Sequence, residues 1–117
     1  MDLELGSSGT LIREPTEEDI LGNLYRGGFV AILLSTTRDT YVKCTRVTPD
    51  KWWRVGPRYC LEYQDGAADK HYRAIGQVSQ GLVVSTLLKY LRNNSSWMTN
   101  FRWEHVDVNA SRPEESV

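Results

Sequence analysis

Apolar residues along the chain change their spacing from one stretch to the next, and the changes mark out elements. In "REPTEEDILGNLYRGG" Ile20, Leu21 and Leu24 recur on one helical face. Thr16 stands where an N-cap belongs, with Asp19 in the returning position, and Glu17, Glu18 and Asp19 set negative charge at the positive end of the helix dipole. Gly27 and Gly28 are expected to stop this helix. "FVAILLS", Phe29–Ser35, is apolar without alternation, the pattern of an interior strand covered on both sides.

Alternation sets in next. In "TYVKCTRV" Val42 and Cys44 alternate with Tyr41, Lys43 and Thr45, which predicts a half-buried strand with Val42 and Cys44 facing inward. "YCLEYQ" places Tyr59, Leu61 and Tyr63 on one face and Cys60, Glu62 and Gln64 on the other; "DGAAD" is the turn, and "KHYRAI" returns as its partner. From Ser79, a fitting N-cap, Val84, Leu87, Leu88 and Leu91 recur at helical spacing until Asn93 and Asn94 offer a left-handed stop. Phe101, Trp103 and His105 then alternate with Arg102, Glu104 and Val106 as a last strand.

The order of helix, four strands, helix and strand, with hairpin-like connections between, predicts an α+β fold. We expect an antiparallel sheet of about five strands with two main helices packed on one face. The core is expected at Ile20, Leu24, Val30, Ile32, Leu34, Leu61, Leu87, Leu88, Leu91 and Trp103. Residues 1–117 read as one domain, with 1–9 and 109–117 expected to be flexible because "GSSG" and "NASRPEESV" offer little to bury.

Composition narrows the function classes. The 117 residues are 40% hydrophobic, enough for one core without metals or disulfides. Charge nearly cancels, 14 Lys plus Arg against 15 Asp plus Glu, so no global field draws the chain to nucleic acid or to an anionic membrane. "MDLELGSSGT" lacks the basic and apolar regions of a secretory signal, and "FVAILL" falls far short of the ~20 apolar residues of a membrane span, so a cytoplasmic, soluble protein is expected. Cys44 and Cys60 lack metal or redox spacing and read as two buried, reduced thiols.

Candidate chemistry is sparse. Neither His71 nor His105 sits in a nucleophile or metal motif, there is no phosphate-cradling loop, and no catalytic, cofactor or metal site is expected. Each histidine reads as a half-exposed strand residue. Glu62 and His71 across the hairpin leave an enzymatic reading open, and a Glu62–Arg73 cross-strand ion pair is the plainer account of that carboxylate. Trp52 and Trp53 lie in the loop "TPDKWWRVGP", where large aromatics either cover the core or anchor a partner. Lys51, Arg54 and Arg58 beside them would suit nucleic acid, a reading the balanced charge disfavours.

Pro15 before the first helix, "LEYQDG" at Leu61–Gly66, and the spacing of Tyr90, Leu91, Trp97, Trp103 and Glu104 resemble the type 1 immunity proteins of bacterial polymorphic toxin systems, over about Thr10–Val106. The resemblance implies an α+β cytoplasmic protein that binds a cognate toxin domain, of nuclease or nucleic-acid deaminase type, and blocks it inside the producing cell. Inhibitors of basic nuclease sites are often strongly acidic, and this chain is not. The expected partner contacts are Glu62, Gln64, Asp65, Lys70, His71 and Arg73 of the hairpin with Trp52 and Trp53 of the loop. Glu104 matches the family's terminal "WE" and serves either the partner or the fold itself.

Overall fold

The computed structural model of the chain describes residues 1–6, 9–26, 31–47 and 57–106. Eight strands and two main helices are found among them: β1 Asp2–Leu5, β2 Thr10–Arg13, α1 Glu17–Arg26, β3 Ala31–Thr37, β4 Thr40–Val47, β5 Arg58–Asp65, β6 His71–Ala74, β7 Val78–Ser79, α2 Gln80–Leu91 and β8 Trp103–His105. Short 3-10 turns occupy Ala68–Lys70 and Ser95–Asn100. The sheet runs β2-β1-β3-β4-β5-β6-β8, with β7 paired to β5, and every pairing is antiparallel.

Local chemistry explains where both helices begin and where α2 ends. The Thr16 backbone N–H and hydroxyl both donate to Asp19 Oδ2, at 2.8 and 3.1 Å, and the Asp19 N–H donates back to Thr16 Oγ1 at 3.3 Å. This is the reciprocal capping box that the sequence predicts. At α2 the Leu82 N–H donates to Ser79 Oγ. The far end closes as a Schellman turn: Asn93 takes a φ of 58°, its N–H reaches Tyr90 O, and the Asn94 N–H reaches Lys89 O at 2.8 Å.

One face of the sheet carries the core. Cross-strand register aligns Leu3, Leu34, Val42 and Tyr63 in one row and Leu5, Ile32, Cys44 and Leu61 in the next. Ile20 and Leu24 of α1 and Val83 and Leu87 of α2 close over these rows, and all but Leu5 and the half-buried Tyr63 are at most 1% exposed. Fully burying one such side chain contributes about 1.5–3 kcal/mol before entropy is subtracted. At the β6–β8 end Trp97 folds back from its 3-10 turn to 3% exposure, in edge contact with Tyr63, Tyr90 and Trp103. The Trp103 indole N–H donates to Met98 O at 2.9 Å, which satisfies its polar edge.

Several expectations are corrected. The sheet has eight strands, not about five, because β1, β2 and β7 are too short for periodicity to reveal; β1 is held by β3 and β7 by β5, each about 20 or more residues away, and β2 by β1. Asp2–Leu5 lies within the segment expected to be loose, yet its alternation of Leu3 and Leu5 with Asp2 and Glu4 pairs it to β3 and buries Leu3 completely. β3 is interior but covered on one side only: Ile32 and Leu34 are buried, while Ala31, Leu33 and Ser35 are half-buried on the other face. Leu88, Leu91 and Trp103 are half-buried at the margin of the core. Val30, Gly27, Gly28 and the tail 109–117 lie outside the described residues.

Candidate functional site

The second face of the sheet bears no described helix. Side chains that alternate away from the core arrive there from every long strand, and register sorts them into rows perpendicular to the strands. One row reads Leu11, Glu4, Leu33, Lys43, Glu62, Arg73 and Glu104, from β2 across to β8. The neighbouring row reads Arg13, Asp2, Ser35, Tyr41, Gln64 and His71. Seven strands at about 4.8 Å spacing make the face about 29 Å wide, and the eight residues of β4 and β5 make it up to about 27 Å long.

Of the expected contact residues, four come together here. Glu62, Gln64, His71 and Arg73 share the face because positions 62 and 64 oppose 73 and 71 in the hairpin register. Asp65 and Lys70 do not join them. Both are exposed at the hairpin tip, where Gly66 turns at a φ of 83° and the chain enters the Ala68–Lys70 turn. Trp52 and Trp53, with Lys51 and Arg54, lie outside the described residues.

A hydrogen-bonded cluster is set into this face. Gln64 Nε2 donates to Asp39 O at 3.2 Å, which leaves Oε1 to accept from Tyr41 Oη at 3.2 Å and to meet His71 Nδ1 at 3.0 Å. Two acceptor roles for Oε1 require the proton on His71 Nδ1. His71 Nε2 lies 3.3 Å from Glu62 Oε1. Contrary to the expectation of a half-exposed strand histidine, His71 is 6% exposed. Burial and the Nδ1–H donated to Gln64 Oε1 fix its ring, so it serves as a fixed polar element of the surface. His105 is exposed on the opposite face, at the edge of the Tyr72 ring.

The expected Glu62–Arg73 ion pair is not formed. Arg73 sends Nε and Nη2 to Glu104 Oε1, at 2.8 and 2.6 Å, and Glu62 turns to His71 instead. Once β8 pairs along β6, Arg73 has a carboxylate on each side, and the more exposed one is the cheaper to hold because less desolvation is involved. Glu104 therefore pairs within the chain.

Burial, followed by the Glu62 and Asp39 carboxylates, raises the Tyr41 hydroxyl above its ordinary range, so it stays a donor to Gln64. Cys60, on the same face, is raised by burial first and then by Glu62. A raised thiol carries little thiolate at neutral pH and is a poor nucleophile. Both cysteines are free; Cys44 is buried as expected, whereas Cys60, turned to the open face, is only half-buried.

Three depressions are described at the surface. Thr36, Thr40, Tyr90, Asn93 and Trp97 are among the residues lining one of about 190 Å³. A second, of about 150 Å³, lies among Tyr63, Tyr72, Met98 and Trp103. The third, of about 190 Å³, is bounded by Glu4, Gly6, Ala31, Leu33 and Lys43 on the open face. Neither Glu62 nor His71 lines any of the three. Among the described residues no group of three or more His, Cys, Asp and Glu side chains is placed to hold a metal ion, and no helix is long and apolar enough to cross a membrane.

Sequence reasoning missed the roles of Glu4, Leu33, Tyr41 and Lys43. Alternation gave the outward direction of Tyr41 and Lys43, but their neighbours depend on register between separate strands, as in the pairing of Asp2 with Ser35 and of Lys43 with Glu62. No family model, no curated protein and no solved structure matches this chain.

Proposed function

We propose that the chain is a cytoplasmic immunity protein of the type 1 kind, which binds a cognate toxin domain and neutralises it by covering its working surface. The observation that carries this reading is the open sheet face on which Glu62, Gln64, His71 and Arg73 converge. Counted strand by strand, at about 3.3 Å by 4.8 Å for each residue, that face presents about 600 Å², the lower end of the share one partner contributes to a standard protein interface. Its chemistry is mixed: Asp2, Glu4, Glu62 and Glu104 stand against Arg13, Lys43 and Arg73. A surface of both signs steers a partner into one register without attracting polyanions, which favours a protein over a nucleic acid.

The His71 cluster supports the same reading. Tyr41, Gln64 and His71 Nδ1 already have their partners, groups fixed in this way present a rigid surface, and rigidity lowers the ordering cost of association. The Glu62–His71 contact is also the pairing a hydrolytic reading would use, but with both side chains set in the sheet face and outside the three depressions, occlusion is the better account. An aminoacyl or phosphoryl substrate would need a concave site to be held and desolvated.

Co-expression with the toxin domain encoded by the adjacent gene tests the proposal. Growth should recover, the two proteins should co-purify, and Glu62→Lys should abolish the rescue while the free variant keeps its thermal midpoint. Absence of both rescue and co-purification with the wild-type chain would sink it.

A further inference from the structure

Along the row that crosses the open face, charged side chains meet a polar partner within the chain at one end and form no ion pair among the described residues at the other. Glu62 meets His71, and Arg73 meets Glu104. Glu4 and Lys43 form no ion pair among the described residues. They flank β3 from the strands on either side of it, so their backbones stand about 9.6 Å apart. Between them Leu33 and Ala31 floor the depression of about 190 Å³. Gly6 forms part of the rim, and a Cβ there would stand 3.3 Å from Ala31 Cβ, so the glycine keeps this end of the depression open.

We infer that this depression is the socket for one apolar side chain of the toxin domain, carried between a basic group that meets Glu4 and an acidic group that meets Lys43. The inference rests on the immunity reading given above. An apolar floor with a charged rim is the arrangement in which a single anchor dominates affinity, because the rim excludes water from the anchor's contacts. The size suits one aliphatic or aromatic side chain: a closed cavity of about 150 Å³ holds benzene. The rim charges select the anchor's neighbours. A partner with the opposite order of charge would set like charges against each other on both sides, which costs more than losing an attraction.

The experiment is calorimetric titration of the full chain with the toxin domain encoded by the adjacent gene. Glu4→Lys, Lys43→Glu and Ala31→Met are compared with wild type, and circular dichroism monitors the fold of each. Glu4→Gln serves in place of Glu4→Lys if the reversal disturbs β1. Each charge reversal should weaken binding by about tenfold or more at low salt, with the loss shrinking as ionic strength rises through 0.5 M. Ala31→Met, which fills the socket without changing charge, should weaken binding by a similar factor at every salt concentration.

Wild-type binding with all folded variants indistinguishable from it would overturn the socket and leave the immunity reading standing. Failure of the wild-type chain to bind the toxin would overturn both. Light scattering on the free protein covers the other occupant: a dimer that Ala31→Met converts to monomer would assign the socket to a second copy of this chain and overturn the inference.

Discussion

Arg73 and Glu104 form a two-donor contact across the β6–β8 pair, with Nη2 2.6 Å and Nε 2.8 Å from the same carboxylate oxygen. Both side chains are nearly half exposed, at 47% and 45%. Exposed pairs of this kind add little to stability, because solvent screens them and two long side chains must be ordered. Arg73→Ala is therefore expected to leave the thermal midpoint near that of wild type and, on the proposed function, to reduce capture of the toxin domain. A large loss of thermal stability would assign the pair to the fold rather than to the face.

Leu3 ties the N-terminal strand to the core at 0% exposure, opposite Leu34 of β3. Leu3→Ala should cost about 2–5 kcal/mol in a denaturant titration, the range for a large-to-small change in a packed core. A cost below about 1 kcal/mol would show that β1 adds little to the folded state.

Thr86 faces the core from α2 at 1% exposure, and its Oγ1 has no hydrogen-bond partner. A buried hydroxyl without a partner carries a desolvation cost that an isosteric methyl does not, and valine and threonine have similar helix propensities. Thr86→Val should raise stability by about 1 kcal/mol. A decrease in the urea midpoint would contradict this.

Alkaline pH should weaken the fold. Burial, with a smaller contribution from Cys60, pushes the Cys44 thiol far above the ordinary thiol value of 9.0. Burial likewise raises Tyr41, Tyr59, Tyr63 and Tyr90 above 10.0. A group whose folded pKa exceeds its unfolded value binds more protons in the folded state, so its stabilisation is complete below the unfolded pKa and is lost as pH rises above it. Unfolding free energy should be flat with respect to these groups at neutral pH and fall from about pH 9 upward. In Cys44→Ala that fall should be shallower, with Cys60 and the tyrosines still contributing, whatever the variant's absolute stability. An unchanged slope would remove Cys44 from the account.

The limits of the sequence reading follow from which interactions are local. Thr16 and Asp19 are three residues apart, and their reciprocal bonds form much as their spacing implies. Ser79 caps α2 and Asn93 turns it off for the same reason. Tyr59 and Leu61 face the core, with Glu62 and Gln64 away from it, because alternation within one strand needs no knowledge of its neighbours. By contrast, β1 and β2 each have four residues, a length at which alternation is easily produced by chance, and only their pairing with each other and with β3 gives them shape.

The sequence by itself determined both main helices, their N-caps and the stop of α2, the inward faces of β4 and β5, and the hairpin that carries Glu62, Gln64, His71 and Arg73, since each depends on groups close along the chain. Tertiary structure decided that Arg73 chooses Glu104 over Glu62, that His71 is enclosed, and that Glu4 and Lys43 flank Leu33 on one open face. Those outcomes depend on strand order and register, and register is set by the burial of the opposite face rather than by the residues that end up as neighbours on this one.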